Sequence, residues 1–177
     1  VAGSSWQADK DLFIEYFNQH PEVKLVIAPH VIDENHLVEI IRKLKRPYVR
    51  YTRADEKNVR KADCLIIDCF GLLSSIYRYG EIAYIGGGFG VGIHNTLEAA
   101  VYGIPVIFGP KYQKFQEAIQ LLEAKGAFSV KDYEELKTLL DRMLTDEVFL
   151  RESGMNASNY VTGNAGATDK IMSMINF

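Results

Sequence analysis

A glycine-rich stretch at residues 86–92 is followed by Asn95 and Glu98, two polar residues three positions apart. A short apolar run at residues 82–85 predicts a buried strand before the stretch, and a predicted helix begins at Leu97 after it. A glycine turn between a strand and a helix lets a ligand approach bare backbone, and free N–H groups there favour a phosphate or carboxylate. A carboxylate beside such an anion site suits sugar hydroxyls. The stretch therefore indicates an anionic nucleotide or a sugar nucleotide as ligand.

A second interpretation of the same residues is a capping box, with Asn95 as the N-cap and Glu98 reaching back to the backbone. Five glycines within residues 86–92 favour the ligand interpretation, because a cap alone does not need them. The spacing fits neither a P-loop, which needs a following Gly-Lys-Ser/Thr, nor the dinucleotide fingerprint. Both interpretations of Glu98 remain open at the level of sequence.

Composition limits the class of protein. The 177 residues suffice for one domain, residues 1–177, and 47% hydrophobic with 24% charged residues are typical of a globular protein. A net charge of −3 gives no electrostatic case for nucleic acid. No apolar run reaches the ~18 residues that span a bilayer. Two cysteines and four unclustered histidines predict no metal site, and reduced cysteines with no leader predict a cytosolic setting.

Strand-like and helix-like segments alternate along the chain. Because the strand-like runs are continuously apolar, the fold class we predict is α/β, with a doubly wound parallel sheet of the Rossmann-like kind. Residues 1–6 look like the end of a strand. Gly126 is expected to end the predicted helix at residues 113–125, which lies directly before this glycine. The other predicted strands cover residues 24–28, 48–51, 64–67, 82–85, 106–108 and 128–130. The predicted helices cover residues 9–19, 33–44, 72–77, 97–101, 113–125, 132–144, 146–160 and 166–175.

Five loops are expected to meet at the carboxyl edge of this sheet, where doubly wound proteins bind their ligands. Asp68, which ends one strand, is expected to cap the helix that follows it. The loops cover residues 3–5, 29–30, 68–71, 86–95 and 108–110.

Several of these segments carry a family resemblance. Ala-Gly-Ser at residues 2–4, Asp-Cys-Phe-Gly-Leu-Leu at 68–73, Gly-Gly-Gly with His-Asn-x-Leu-Glu across 86–98, and Gly-x-Pro-Val-x-Phe-Gly-Pro at 103–110 occur in this order. Together they resemble the C-terminal half of the lipopolysaccharide Kdo transferases. Those enzymes move 3-deoxy-D-manno-octulosonic acid (Kdo) from CMP-Kdo to a lipid A precursor, and they have the two-domain B-type glycosyltransferase fold. The resemblance extends from residue 1 to about residue 144.

The resemblance also implies a set of binding residues for the CMP part of the donor. His30 stands where the family usually has arginine, and Leu72 stands where it has glutamate, so two side-chain contacts of the family pattern are changed. The implied residues are Pro29, His30, Phe70, Gly71, Leu72, Asn95, Thr96, Leu97 and Glu98. Ser4, Gly87, Gly88 and His94 are possible additional contacts.

The same resemblance implies a division of labour. The chain would be the donor-binding domain of a two-domain enzyme, with no catalytic residue, metal or cofactor of its own. An absent N-terminal half would supply the acceptor site, the catalytic base and attachment to the cytoplasmic face of the bacterial inner membrane, while the fragment itself is soluble and inactive. Transfer would be inverting. Two alternatives stay open: the donor half of a UDP-sugar-dependent B-type enzyme, and a non-catalytic flavodoxin-like binding module.

Overall fold

A computed structural model of the chain describes residues 1–166 and 172–173. The described strands are β1 (Ala2–Ser5), β2 (Leu25–Pro29), β3 (Tyr48–Arg50), β4 (Cys64–Ile66), β5 (Ala83–Ile85), β6 (Val106–Phe108) and β7 (Ala127–Ser129). The described helices are α1 (Gln7–Gln19), α2 (Glu34–Lys43), α3 (Glu56–Val59), α4 (Leu73–Ile76), α5 (Leu97–Ala100), α6 (Gln116–Glu123), α7 (Tyr133–Thr145) and α8 (Glu147–Asn164). Single 3₁₀ turns cover Tyr51–Arg53 and Tyr77–Tyr79.

The seven strands form one parallel sheet in the order β3-β4-β2-β1-β5-β6-β7, which confirms the predicted fold class. β1 lies at the centre, with Ala2 opposite Ile27 of β2 on one side and Tyr84 of β5 on the other. Ile27, Ile66 and Ile107, from three different strands, are fully buried. Because both faces of the sheet are covered, these strands are apolar at consecutive positions rather than alternating ones.

Two hydrophobic clusters hold the helices on opposite faces of the sheet. On one face, Phe13 and Phe17 of α1 pack with Leu37 of α2 and Leu136 of α7. On the other face lie buried residues of α5, α6 and α8, together with the 3₁₀ turn after α4; they include Ala100, Leu121, Ala157 and Tyr77. Each large buried side chain contributes roughly 1.5–3 kcal/mol of hydrophobic stabilisation.

The predicted strands and longer helices are confirmed to within a few residues, whereas shorter features differ. Gly126 does not supply the left-handed residue that ends α6; Lys125 does, with φ 58°. Gly126 is glycine for another reason, because a side chain there would lie 2.6 Å from the backbone of Ala157 in α8. The helix α3 was not predicted. The predicted helix at residues 166–175 lies mostly outside the described residues.

Candidate functional site at the carboxyl edge of the sheet

The chain leaves β1 and β5 toward opposite faces of the sheet, which opens a crevice between the ends of these two neighbouring strands. α1 follows β1 on one face, and α5 follows the loop after β5 on the other. In doubly wound sheets this switch point is where ligands bind. The glycine-rich stretch at residues 86–92 begins at this position. The candidate site therefore lies where parallel-sheet geometry favours one.

A buried carboxylate fastens the glycine-rich loop to α1. Asp9 is fully buried, and its Oδ2 atom accepts hydrogen bonds from the backbone N–H of Trp6 at 2.9 Å and of Gly87 at 2.8 Å. Its Oδ1 atom accepts the hydroxyl of Tyr84 at 3.1 Å. Asp9 thus caps the N-terminus of α1 and connects this helix to the glycine-rich loop on the other side of the crevice. The sequence interpretation missed it, although an acid in the first turn of a helix is a recognisable capping signal.

Most glycines of the loop are required by packing, a reason that the sequence interpretation did not give. A side chain at Gly86 would collide with the backbone of Ser4. At Gly88 it would lie 2.5 Å from the backbone of Gly109, in the loop after β6. Gly90 differs, because its nearest neighbour would be the carbonyl oxygen of Gly87 at 3.6 Å. The loop is therefore glycine-rich mainly because three chain segments meet there.

Some backbone donors of the loop remain free despite this packing. The N–H of Gly87 is used by Asp9, and the N–H of Gly92 donates to the carbonyl of Gly87 at 3.2 Å. The N–H groups of Gly88 and Phe89 donate to no group within the part of the chain that the structure describes. These two adjacent donors can receive an anionic oxygen.

Asn95 and Glu98 lie at the start of α5, but they do not form the capping box. Asn95 Oδ1 accepts the N–H of Leu97 at 3.0 Å, so Asn95 does support the helix start. Its Nδ2 atom donates to Glu98 Oε1 at 3.2 Å, and this is the one hydrogen bond of the Glu98 side chain among the described residues. Glu98 does not reach back to the backbone, so the capping interpretation of this carboxylate is wrong. Thr96, between them, is buried.

Pro29 is buried at the end of β2, and His30, which follows it, belongs to an aromatic cluster that bridges the crevice. The His30 ring stacks on Trp6 with centroids 4.6 Å apart and on His94 at 4.5 Å. Trp6 Nε1 donates to His94 Nε2 at 3.2 Å, so this nitrogen of His94 carries no proton. Burial, and then the neighbouring His30, lowers the pKa of His94 below its ordinary value. Trp6 was not among the predicted site residues.

The third predicted segment, at residues 70–72, lies in the loop between β4 and α4. Phe70 is 82% exposed, Gly71 adopts φ 87°, and Leu72 precedes the first turn of α4. No hydrogen bond or ring contact joins this segment to the other two within residues 1–166 and 172–173. Ser4, at the end of β1, has a left-handed φ of 51°.

Asp68 does not cap α4, which corrects the prediction. Its buried carboxylate accepts Arg50 Nε at 2.7 Å, the Thr52 N–H at 2.8 Å and the Thr52 hydroxyl at 2.6 Å. Burial acts to raise the pKa of Asp68, but these hydrogen bonds outweigh it and hold the pKa below its usual range. Arg50 also pairs with Glu34 at 2.8 Å. Asp68 therefore ties the loop after β4 to the end of β3 and the start of α2.

The described residues offer neither a metal site nor a membrane-spanning helix. Among residues 1–166 and 172–173, no three His, Cys, Asp or Glu side chains are grouped so that they could hold a metal ion. None of the helices found in those residues is long and apolar enough to cross a bilayer.

Sequence comparison relates the chain to glycosyltransferases. No protein-family model matches it. It is 34% identical over 151 residues to the 3-deoxy-D-manno-octulosonic acid transferase of Aquifex aeolicus, and the alignment covers 82% of this chain and 41% of that protein. It is 28% identical over 172 residues to the bifunctional glycosyltransferase/methyltransferase of Fusobacterium nucleatum, covering 91% of this chain and 27% of that protein. The chain thus spans less than half the length of these relatives.

Structural comparison points the same way. The C-terminal CMP-Kdo binding domain of WaaA from Acinetobacter baumannii matches with a TM-score of 0.75 at 18% identity, covering 90% of this chain and 86% of that domain. The parallel sheet and the crevice at its switch point define a Rossmann-like α/β domain. Within that class, the sequence relationship identifies the chain as a C-terminal domain of the Kdo transferase family.

Proposed function

We propose that this domain binds CMP-Kdo in the crevice between β1 and β5 and presents it for transfer of Kdo to a lipid A precursor. The observation that carries the proposal is the Asn95–Glu98 pair in a domain of the Kdo transferase family. Asn95 orients the Glu98 carboxylate, whose remaining acceptor capacity is unused by the described residues. A carboxylate held in this way can accept hydrogen bonds from the hydroxyls of a ribose.

The free N–H groups of Gly88 and Phe89 supply the second half of the proposed contact. They can donate to the phosphate of CMP, and to the charge that develops on that phosphate as the glycosidic bond breaks. The stacked rings of Trp6, His30 and His94 close one side of the crevice. In this arrangement the domain binds the leaving group, and none of its residues acts as the base.

The remaining parts of the reaction fall to an N-terminal part of the enzyme. A carboxylate there deprotonates the acceptor hydroxyl, the hydroxyl oxygen attacks the anomeric carbon of Kdo with inversion, and CMP departs without help from a metal or cofactor. The same part binds the lipid A precursor and associates with the cytoplasmic face of the inner membrane. The chain covers 41% of the length of the Aquifex relative, which is consistent with this division.

Transfer assays test the proposal. We expect this chain alone to melt cooperatively yet to transfer no Kdo, whereas a protein that joins it to an N-terminal acceptor domain transfers Kdo from CMP-Kdo. Turnover by this chain alone would contradict the division of labour. Activity of the two-domain protein with UDP-sugars but not with CMP-Kdo would establish the UDP-sugar alternative. A chain that binds no nucleotide in either context would be a flavodoxin-like binding module instead.

A further inference from the structure

Three buried tyrosines differ in what their hydroxyl groups contact. Tyr16 donates to Asp141 at 2.8 Å, and Tyr84 donates to Asp9 at 3.1 Å. Tyr77 is as deeply buried as they are, at 1% exposure, yet its hydroxyl has no hydrogen-bond partner among the described residues. The Tyr77 hydroxyl oxygen is not fully enclosed by the protein, so it reaches solvent. A buried tyrosine normally gives its hydroxyl a partner, so a partner from outside the chain is expected here.

The hydroxyl of Tyr77 lies between α4 and the central strand of the sheet. Tyr77 follows α4, and its oxygen lies directly against Gly3 of β1, where any side chain would collide with it. The side chain of Leu73, in the first turn of α4, lies against the same glycine. The hydroxyl therefore lies beside β1, below the start of α4.

Glu98, on α5, is close enough to act on the same hydroxyl electrostatically. Burial raises the pKa of Tyr77, and the nearby Glu98 carboxylate adds to this effect. Both keep the hydroxyl protonated, so Tyr77 stays a hydrogen-bond donor across the physiological pH range. Within the described residues no hydrogen bond joins the Tyr77 hydroxyl to the Glu98 carboxylate, so the donor and the acceptor both stay available to a ligand.

We propose that Tyr77 also binds the CMP-Kdo donor: its hydroxyl donates a hydrogen bond to the oxygen of a ribose hydroxyl, and the same ribose hydroxyl donates a hydrogen bond to the Glu98 carboxylate. This assignment rests on the proposed function, since it takes CMP as the ligand. A ribose hydroxyl is both an acceptor and a donor, which matches the Tyr77 hydroxyl as donor and the Glu98 carboxylate as acceptor. A phosphate oxygen would satisfy Tyr77 but would be repelled by Glu98.

Tyr77→Phe tests the assignment, because it removes one atom and leaves the ring packing in place. CMP binding is measured by chemical-shift titration for the wild type and the variant, and repeated with 2′-deoxy-CMP and 3′-deoxy-CMP. We expect Tyr77→Phe to weaken CMP binding about three- to tenfold, the range for one neutral hydrogen bond. With the analogue that lacks the contacted hydroxyl, the wild type and the variant should bind equally.

Matched tyrosine variants separate a ligand contact from a structural one. Tyr160→Phe removes a hydroxyl that donates to Gln120 at 2.6 Å, between α6 and α8, and should leave CMP binding unchanged. Tyr16→Phe should lower the melting temperature, since it breaks the bond to Asp141, whereas Tyr77→Phe should not. A Tyr77→Phe variant that loses as much stability as Tyr16→Phe would mean that the hydroxyl serves the fold.

The outcomes distinguish this assignment from the proposed function. If Glu98→Gln weakens CMP binding but Tyr77→Phe does not, CMP binds here and the Tyr77 assignment is wrong. The assignment is also wrong if the effect of Tyr77→Phe persists with both deoxy analogues. If the wild type binds no CMP at all, the proposed function fails and the assignment fails with it.

Discussion

Two carboxylates lie beside the crevice, and their surroundings give them different roles. Asp9 is enclosed, and both of its oxygens accept hydrogen bonds from the protein, three in total. Glu98 is partly exposed and accepts one, from Asn95. A carboxylate has about four acceptor positions, so Glu98 keeps most of its capacity for a ligand whereas Asp9 serves the fold. Residue type alone does not reveal this difference.

Glu98→Gln should therefore weaken binding without weakening the fold. Glutamine keeps the size of the side chain but offers a neutral acceptor, and charged hydrogen bonds contribute ~1.5–3 kcal/mol against about 1 for neutral ones. We expect CMP affinity to fall roughly tenfold and the unfolding free energy to change by less than about 0.5 kcal/mol. Chemical-shift titration and urea unfolding measure the two quantities. Unchanged affinity would remove Glu98 from the binding site.

Asp9→Asn, in contrast, should weaken the fold. The amide nitrogen that replaces one oxygen would face an N–H or O–H donor that now lacks an acceptor. Leaving a buried donor unsatisfied costs about 1–3 kcal/mol, so the unfolding free energy should fall by that amount. Urea unfolding checks it, and a variant as stable as the wild type would show that the Asp9 contacts to Gly87 and Tyr84 contribute nothing.

The free energy of unfolding should decrease as the pH falls through the range in which histidine side chains titrate. In the folded chain the pKa of His94 is lowered, by burial first and by His30 second, and the pKa of His36 is lowered by burial and by Lys10. Below pH ~6.5 the unfolded chain therefore binds more protons than the folded chain, and the unfolding free energy falls as pH falls. Urea unfolding at pH 7 and pH 5 should show a smaller loss for His94→Asn than for the wild type. An equal loss in both would contradict the lowered pKa of His94.

At the scale of elements, the glycine-rich loop is a junction of three chain segments. It touches the end of β1 through Gly86, α1 through Gly87 and the loop after β6 through Gly88. The loop is fixed before any ligand arrives, so its free N–H groups do not have to be ordered on binding. Such preorganisation reduces the entropy cost of binding.

Alanine substitutions within the loop should separate its packing role from its binding role. Gly88→Ala forces a methyl group to within 2.5 Å of the Gly109 backbone, and we expect it to lower the unfolding free energy by about 2 kcal/mol or more. Gly90→Ala makes only an ordinary van der Waals contact, with the carbonyl oxygen of Gly87 at 3.6 Å, and should leave stability within about 0.5 kcal/mol of the wild type. Thermal unfolding of the two variants checks the difference. Equal stability of the two would refute the packing explanation.

Most of the architecture could be predicted from the sequence, because continuous apolar runs and helical periodicity are local signals. Asp132 was expected to start a helix and does so, accepting the N–H of Glu135 at 2.9 Å. Contacts between distant segments could not be predicted in this way. Asp9 and Gly87 are 78 residues apart, and Trp6 and His94 are 88 apart. The role of Asp68 depends on β3 lying beside β4, which strand order decides.

At the scale of the whole molecule, the sheet order creates the site. β1 begins the chain yet lies at the centre of the sheet, so the chain extends outward from it in both directions. Three crevice elements, β1, α1 and the loop after β5, are joined by Asp9, His94 and Trp6. Family motifs from residues 1 to 144 predicted the type of domain, and comparison with the Aquifex relative supports it over 151 residues.

A titration of the isotopically labelled chain with CMP, and separately with UDP, tests the central claim that this crevice binds the CMP part of the donor. We expect the amides of Gly71, Asn95 and Glu98 to shift, with an affinity on the order of millimolar, because half of a two-domain cleft leaves the ligand exposed. UDP should bind more weakly at the same residues. Shifts confined to other parts of the chain, or equal or stronger binding of UDP, would contradict the account.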